Sequence, residues 1–383
     1  MRIISAEAWL CRLPMPWPVR LGPMVYPTRD YVVLKLTADN GLEGWAIGYT
    51  RGTPLFDGAH MLAANLPSVL EGPEALCGTW RRQFAPGWAA LVRAISLYDI
   101  CVWDLTSKYE GQPLGAALGG LPRDLPLMGV AGYFIDDRGV AGVVDEAVRF
   151  AAEGFTVVKI MLPGHERTTD EHLIHSVRDA LPQGCHVAVD LHGMFQTTAE
   201  SMEYSEWLNS MGVAFIEDPF ASSQWREVAA FQERTSIPVA SGEDLAGLGA
   251  FLDLMDSGVQ RIRLDATASG GITGALDVLS AAASRPVGIL PHVWPHLHAH
   301  LGAITDQIPF VEVIPDYVGA DPMWALLDVG PTYSAGHWQA ATGPGIGMTI
   351  DTDSLEHHAR AHWQVPVQTV LSQRNHPTSF KEQ

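Results

Sequence analysis

From about residue 125 onward the chain repeats one pattern, a short apolar run followed by a helical stretch, eight times over roughly 200 residues. The runs are 127–131, 156–161, 186–190, 213–217, 238–243, 261–265, 288–292 and 310–312. They do not alternate apolar with polar residues, so each strand needs cover on both faces. Helical patterns such as that of 143–152 supply it, which predicts a parallel sheet. Eight such units suit a closed (β/α) barrel better than an open doubly wound sheet, which stays the alternative. With 383 residues and 47% hydrophobic content the chain can bury a large core. By length it holds two or three domains, or one barrel with an attachment.

Six of the eight runs end in an ionisable residue: Asp190, Glu217, Glu243, Asp265, His292 and Glu312. Successive ends lie about one β/α unit apart, and in a barrel the C-terminal strand ends converge on one mouth. Loops are polar too, but the onset of loops would account for two or three charged ends, not six. Asp190, Glu217 and Glu243 come from consecutive strands. Three converging carboxylates without a cation repel and raise one another's pKa. Mg²⁺ resolves this, since it prefers oxygen ligands and keeps places for water or substrate. The net charge of −19 argues against nucleic acid or an anionic membrane as the main partner. It also means that an acidic substrate needs local positive charge, which Mg²⁺ and Lys159 would provide. Asp265 and His292 end adjacent strands. A carboxylate on one imidazole nitrogen fixes the tautomer and strengthens the other nitrogen as a base; a structural ion pair is the plainer reading.

Ahead of the barrel, 31–37 reads as a strand, Asn40-Gly41 as a turn and Glu43 as the start of a return strand. Leu91, Ile95, Tyr98, Val102 and Leu105 recur at helical spacing. Gly119-Gly120-Leu-Pro-Arg-Asp marks a joint. The expected division is therefore an α+β capping domain over 1–124, a barrel over 125–324 and a C-terminal segment over 325–383 that packs back on the cap. No apolar run approaches the ~18–20 residues of a membrane span. The N-terminus makes a poor signal peptide, and the four isolated cysteines suit a reduced compartment. A cytoplasmic protein is expected.

These residues in this order resemble the enolase superfamily, mandelate racemase subgroup. Lys159, Asp190, Phe215-Ile-Glu217-Asp-Pro219 and Ser241-Gly-Glu243 match strands two to five. Leu264-Asp265 with Gly270-Gly-Ile-Thr-Gly, His292 with Ala299-His-Leu, and Glu312 continue through strands six to eight. Asp99-Ile-Cys-Val-Trp103-Asp-Leu with Gly111-Gln-Pro-Leu resembles the family's cap helix, and Pro344-Gly-Ile-Gly347 its C-terminal return to the cap. The resemblance implies a (β/α)7β barrel with an α+β cap whose loops close over the mouth. Where the racemase branch carries a second lysine on the second strand, this chain has Met161, which cannot take a proton. On the third strand Asp190-Leu191-His192 resembles galactonate- and mannonate-dehydratase-like members, in which the histidine protonates a departing hydroxyl. Period-two geometry would point Asp190 and His192 the same way along an extended strand. His296 and His300 have the spacing of a helical zinc pair without its glutamate, and are read as the helix and loop after strand seven. Gly343-Pro-Gly345-Ile-Gly347 lacks the third glycine position of a dinucleotide loop.

The activity implied is Mg²⁺-dependent dehydration of an aldonate or aldarate. His292 would act as base, Asp265 would orient it, His192 would be the acid, and Lys159 and the metal would stabilise charge. Glu312, if protonated, would hydrogen-bond an enolate oxygen; otherwise it orients a neighbour. Specificity is expected from the cap: Trp17, Arg20, Tyr26 and Arg29 in a first loop, Tyr49 and Arg51 in a second, with Trp294 beside the base. A racemase or epimerase of a 2-hydroxy acid and a non-catalytic ligand-binding member are the alternatives. The partner would be a small acid sugar, with no nucleic acid and no membrane, in a homo-oligomer (dimer or octamer).

Overall fold

A computed structural model describes residues 1–21, 24–164, 166–330 and 332–367. The chain begins with three antiparallel strands, β1 (Ile3–Leu21), β2 (Met24–Ala38) and β3 (Glu43–Tyr49). The first specificity segment, expected as a loop, is largely strand, because β1 and β2 continue as a long ladder to residues 21 and 24. The register shifts between Ile3 and Ser5 and again between Pro14 and Val19; at the second break Pro16 and Pro18 have no N–H to give to the ladder.

The helix Trp88–Tyr109 lies on this sheet. A Cβ at Gly44 would sit 2.1 Å from the carbonyl oxygen of Cys101, so only glycine lets helix and β3 approach this closely. By length and composition Ala85–Tyr109 is the one helix among the described residues that could cross a membrane, although no unbroken apolar run marks it. Its apolar residues Ile95, Leu97, Tyr98, Ile100, Val102 and Leu105 are instead buried in the core.

Eight parallel strands follow: β4 (Leu125–Ala131), β5 (Val157–Met161), β6 (His186–Asp190), β7 (Ile216–Glu217), β8 (Val239–Ser241), β9 (Arg261–Leu264), β10 (Gly288–Pro291) and β11 (Val311–Val313). Each pairs with the next from β4 to β10, and β11 pairs with β4 on its other side. Ile289 in β10 donates to Gln307 just ahead of β11, which brings the ring round. This is a TIM-type barrel with a capping domain. One interior layer is Met128, Ala188, Ala240 and Leu290, from β4, β6, β8 and β10, with Phe215 packed against them. Side chains from alternate strands fill one layer, as barrel geometry requires.

After β11 the chain forms a hairpin, β12 (Tyr333–Ser334) and β13 (His337–Trp338), which pairs antiparallel with the start of β4. Then β14 (Ala359–Pro366) returns to the cap and pairs with β1. Ile346 N–H donates to Asp104 of the cap helix at 2.8 Å. Part of the C-terminal segment thus holds the barrel and part holds the cap, and residues 368–383 lie outside the described residues.

Candidate active site at the barrel mouth

Another layer comes from the other four strands, and it is entirely charged. Lys159 on β5, Glu217 on β7, Arg263 on β9 and Glu312 on β11 are all buried. Lys159 Nζ lies 2.9 Å from Glu217 and 2.8 Å from Glu312. Arg263 lies 3.0 Å from Glu217 and 2.8 Å from Glu312. The four close a ring of alternating sign and zero net charge across the barrel. Such a ring holds only because every charge is paired, since an isolated buried ion costs several kcal/mol.

Burial alone would lower the Lys159 pKa, but Glu217, Glu312 and Asp190 outweigh it and hold the ammonium well above its ordinary value. Burial pushes Glu312 the other way, and Arg263 and Lys159 overcome that to keep it ionised. Of the two roles expected for Glu312, the orienting one matches this geometry. Both its oxygens accept from Arg263, and Oε1 also accepts from the Val293 amide at 3.1 Å, next to His292. Arg263 donates to the Pro291 carbonyl on the other side of His292 at 2.8 Å.

The next level carries the imidazoles and carboxylates expected at the strand ends. His292 Nδ1 is 2.9 Å from Asp265 Oδ2, while Nε2 faces Glu243 at 3.4 Å. Asp265 also caps the helix Ala266–Ser269, its Oδ1 accepting from the Thr267 amide and hydroxyl. Burial would raise Asp265, but the hydrogen bond and charge of His292 hold it down at about 2. His298 braces the pair: its Nε2 accepts from the Ala266 amide and its Nδ1 lies 2.7 Å from the Val293 carbonyl.

Across the mouth, β6 ends at Asp190, and His192 has φ +48° rather than continuing the strand. The extended arrangement expected for this pair is therefore absent. The chain must turn at the barrel rim, and the turn folds His192 back until Nδ1 is 2.7 Å from Asp190 Oδ1. Asp218, Val293 and Trp294, just past β7 and β10, also have positive φ. Left-handed backbone at non-glycine residues costs on the order of 1–3 kcal/mol each and gathers at functional sites.

Glu217, Asp218 and Glu243 each offer an oxygen within 4.8 Å of one another. Asp190 is beside them as the register partner of Glu217, with its own oxygens on Lys159 and His192. Burial and the neighbouring Glu243 push Asp218 well above the usual carboxylate range. Glu217 Oε2 is buried without a hydrogen-bond partner among the described residues. An all-carboxylate donor set with an unspent buried oxygen fits a hard cation. His296 and His300 stand apart from this group, on the helix Pro295–Gly302.

Beside the cluster a cleft of about 740 Å³ is lined by Tyr26, Arg29, Tyr49, Arg51, Arg93 and Asp244, among others. Arg51 reaches from it to Glu243 at 2.8 Å. Arg20 and Trp294 stand outside the cleft. Arg20 pairs with Asp136 on the surface, and Trp294 is buried beneath the Tyr49 ring at 4.5 Å. Trp17 packs on Phe134. Sequence reasoning missed Arg263, Asp218 and Asp321. The signal for Arg263 was an arginine two residues before Asp265, on the same face of the short strand β9.

Comparison with known proteins completes the picture. Residues 142–354 match the enolase C-terminal domain-like family. The chain belongs to the enolase superfamily. It is 25% identical to a D-galactarolactone cycloisomerase of Agrobacterium fabrum, over 93% of this chain and 98% of that one. It is also 25% identical to a D-galactonate dehydratase of Xanthomonas oryzae, over 88% and 94%. A solved enolase from Bradyrhizobium, complexed with magnesium and mandelic acid, superposes with a TM-score of 0.84 at 25% identity, covering 94% of this chain and 99% of that one. The similar superfamily members thus include acid sugar dehydratases and cycloisomerases.

Proposed function

We propose that this chain is a Mg²⁺-dependent sugar acid dehydratase, removing the proton alpha to the carboxylate and eliminating the beta-hydroxyl as water to leave a 2-keto-3-deoxy acid. The observation that carries the reading is a pair of imidazoles on opposite sides of one acidic cluster. His292 follows β10 and His192 follows β6, and these strands stand half-way round the ring from each other. The D-galactonate dehydratase relative supports the same chemistry.

Asp190, Glu217 and Glu243, with Asp218 beside them, would hold the cation. When bound it supplies positive charge beside the substrate carboxylate, where negative charge builds as the alpha proton leaves. His292 Nε2 takes that proton. Asp265 keeps Nδ1 protonated, so Nε2 is the free lone pair, and it steadies the imidazolium that forms. The Lys159 ammonium, locked in its ring beside Asp190 and Glu217, adds fixed positive charge next to the cation site. His192 gives a proton to the departing C3 hydroxyl, and the resulting enol ketonises. Met161, the register partner of Asp190, offers no base on β5.

The same two imidazoles would also serve a two-base epimerase, and one experiment separates the readings. Sugar acids are screened in heavy water with Mg²⁺ for keto acid formation and for exchange at C2. Dehydration gives keto acid, whereas epimerisation gives a deuterated, inverted product with no water lost. His292→Asn should reduce C2 exchange by about 10²–10⁴-fold. His192→Asn should suppress keto acid formation while exchange continues. Full dehydration by His192→Asn would remove His192 from the acid role. Neither turnover nor exchange across the screen would favour a non-catalytic, ligand-binding member.

A further inference from the structure

Three guanidinium groups line the cleft beside the acidic cluster, and two of them are already spent. Arg51 and Arg93 both pair with Asp244, and Arg51 also with Glu243. Arg29 is different. Its guanidinium lies over the rings of Tyr49 and Tyr133, 5.2 and 5.7 Å from their centroids, and has no hydrogen-bond or ion-pair acceptor among the described residues.

Asp321 lies close enough for its charge to reach Arg29, but its oxygens and those of Asp30 accept from other donors. Asp30, next in sequence, receives two hydrogen bonds from Arg12. Asp321 accepts from the Tyr31 hydroxyl at 2.6 Å with one oxygen and from the Tyr49 hydroxyl at 2.7 Å with the other. Flanking aromatic faces orient a guanidinium without using its N–H groups. The donor fork therefore stays open to the cleft, in the geometry that receives a carboxylate through two parallel bonds.

Arg29 is also tied to the reacting end. Tyr49, under its guanidinium, packs on Trp294, two residues from His292. Tyr133, the second ring against it, is close enough to Lys159 and Glu312 to feel their charges.

We propose that Arg29 binds a second, distal carboxylate, so that the preferred substrates are dicarboxylic sugar acids (aldarates) rather than monocarboxylic aldonates. The inference rests on the dehydratase reading for the reaction but not for the binding. A terminal hydroxymethyl group cannot replace a carboxylate at this cation, since it brings no charge and only one acceptor oxygen.

The test compares six-carbon aldarates with aldonates of matching configuration in the wild type, Arg29→Gln and Arg29→Lys. Keto acid formation and C2 exchange are followed, and galactarate and galactonate binding is measured by calorimetry. The wild type should favour the aldarate. In Arg29→Gln the aldarate-over-aldonate ratio of kcat/KM should fall by about tenfold to a hundredfold, mostly through KM, with partial recovery in Arg29→Lys. A preference for aldonates overturns the proposal, as does an equal loss for both classes, which would put Arg29 on the reacting carboxylate. Should no sugar acid exchange its C2 proton while galactarate binding still depends on Arg29, the dehydratase reading fails and this one stands. Absence of both exchange and Arg29-dependent binding overturns both.

Discussion

Arg263 is buried in the middle of the barrel, and its side chain ties β7, β10 and β11 together. It touches Glu217, a candidate cation ligand, and it grips the Pro291 carbonyl and Glu312 on either side of His292, the proposed base. Removing it leaves Glu217 and Glu312 with one cation, Lys159, between them. Arg263→Met should therefore cost about 3–5 kcal/mol in a urea denaturation experiment, the usual cost of a buried charge stripped of its partner. The double variant Arg263→Met/Glu312→Gln should recover part of that loss, because the second uncompensated charge is gone. A loss below about 1 kcal/mol in the single variant would mean that the ring is not a paired unit.

The helix Trp88–Tyr109 is where cap meets barrel. Its Asp99 accepts from the Thr273 amide at 3.0 Å and from the Thr273 hydroxyl at 2.6 Å, on the barrel helix Gly271–Ala282. Burial pushes the Asp99 pKa up to about 7, and the Thr273 hydrogen bonds offset only part of it. The folded state thus holds this proton more tightly than the unfolded chain does. Its contribution to stability is full below about pH 4 and is lost as the pH rises through about 7. Thermal melting between pH 4 and 8 should show this decline in the wild type, and Asp99→Asn should flatten that component. An unchanged slope in Asp99→Asn would show that Asp99 carries its charge without penalty.

At the scale of the whole molecule, a chain of net charge −19 gathers four carboxylates at one mouth. A cation that binds the folded mouth and not the unfolded chain stabilises by mass action, about 2.7 kcal/mol at a hundredfold excess over its Kd. Added Mg²⁺ should accordingly raise Tm, a chelator should lower it again, and Glu217→Gln should blunt the response. A Tm indifferent to Mg²⁺ in the wild type would remove the cation from this site. The cap contributes the opposite sign, with the Arg29 fork over the cleft. The substrate would therefore lie between a cation-binding floor and a cationic lid.

What could be read from the linear chain was whatever depends on near neighbours. The period of the apolar runs fixes strand and helix, and because strands end where the barrel mouth lies, Asp190, Glu217, Glu243, Asp265, His292 and Glu312 stood out as a set. Folding decided the contacts that no local pattern encodes. Lys159 meets a partner 58 residues away, Arg263 one at 49, and Tyr31 one at 290. That is why nothing local set Arg263 or Asp321 apart, and why the open fork of Arg29 could not be told from a solvated arginine. His192 shows the same limit within two residues: alternation predicts its direction only while the strand lasts, and the barrel rim ends the strand at Asp190. Short-range stereochemistry and hydrophobicity wrote the barrel into the sequence. Which buried charges are matched, and which one is left to meet a ligand, was decided only when the ring closed and the cap came down on it.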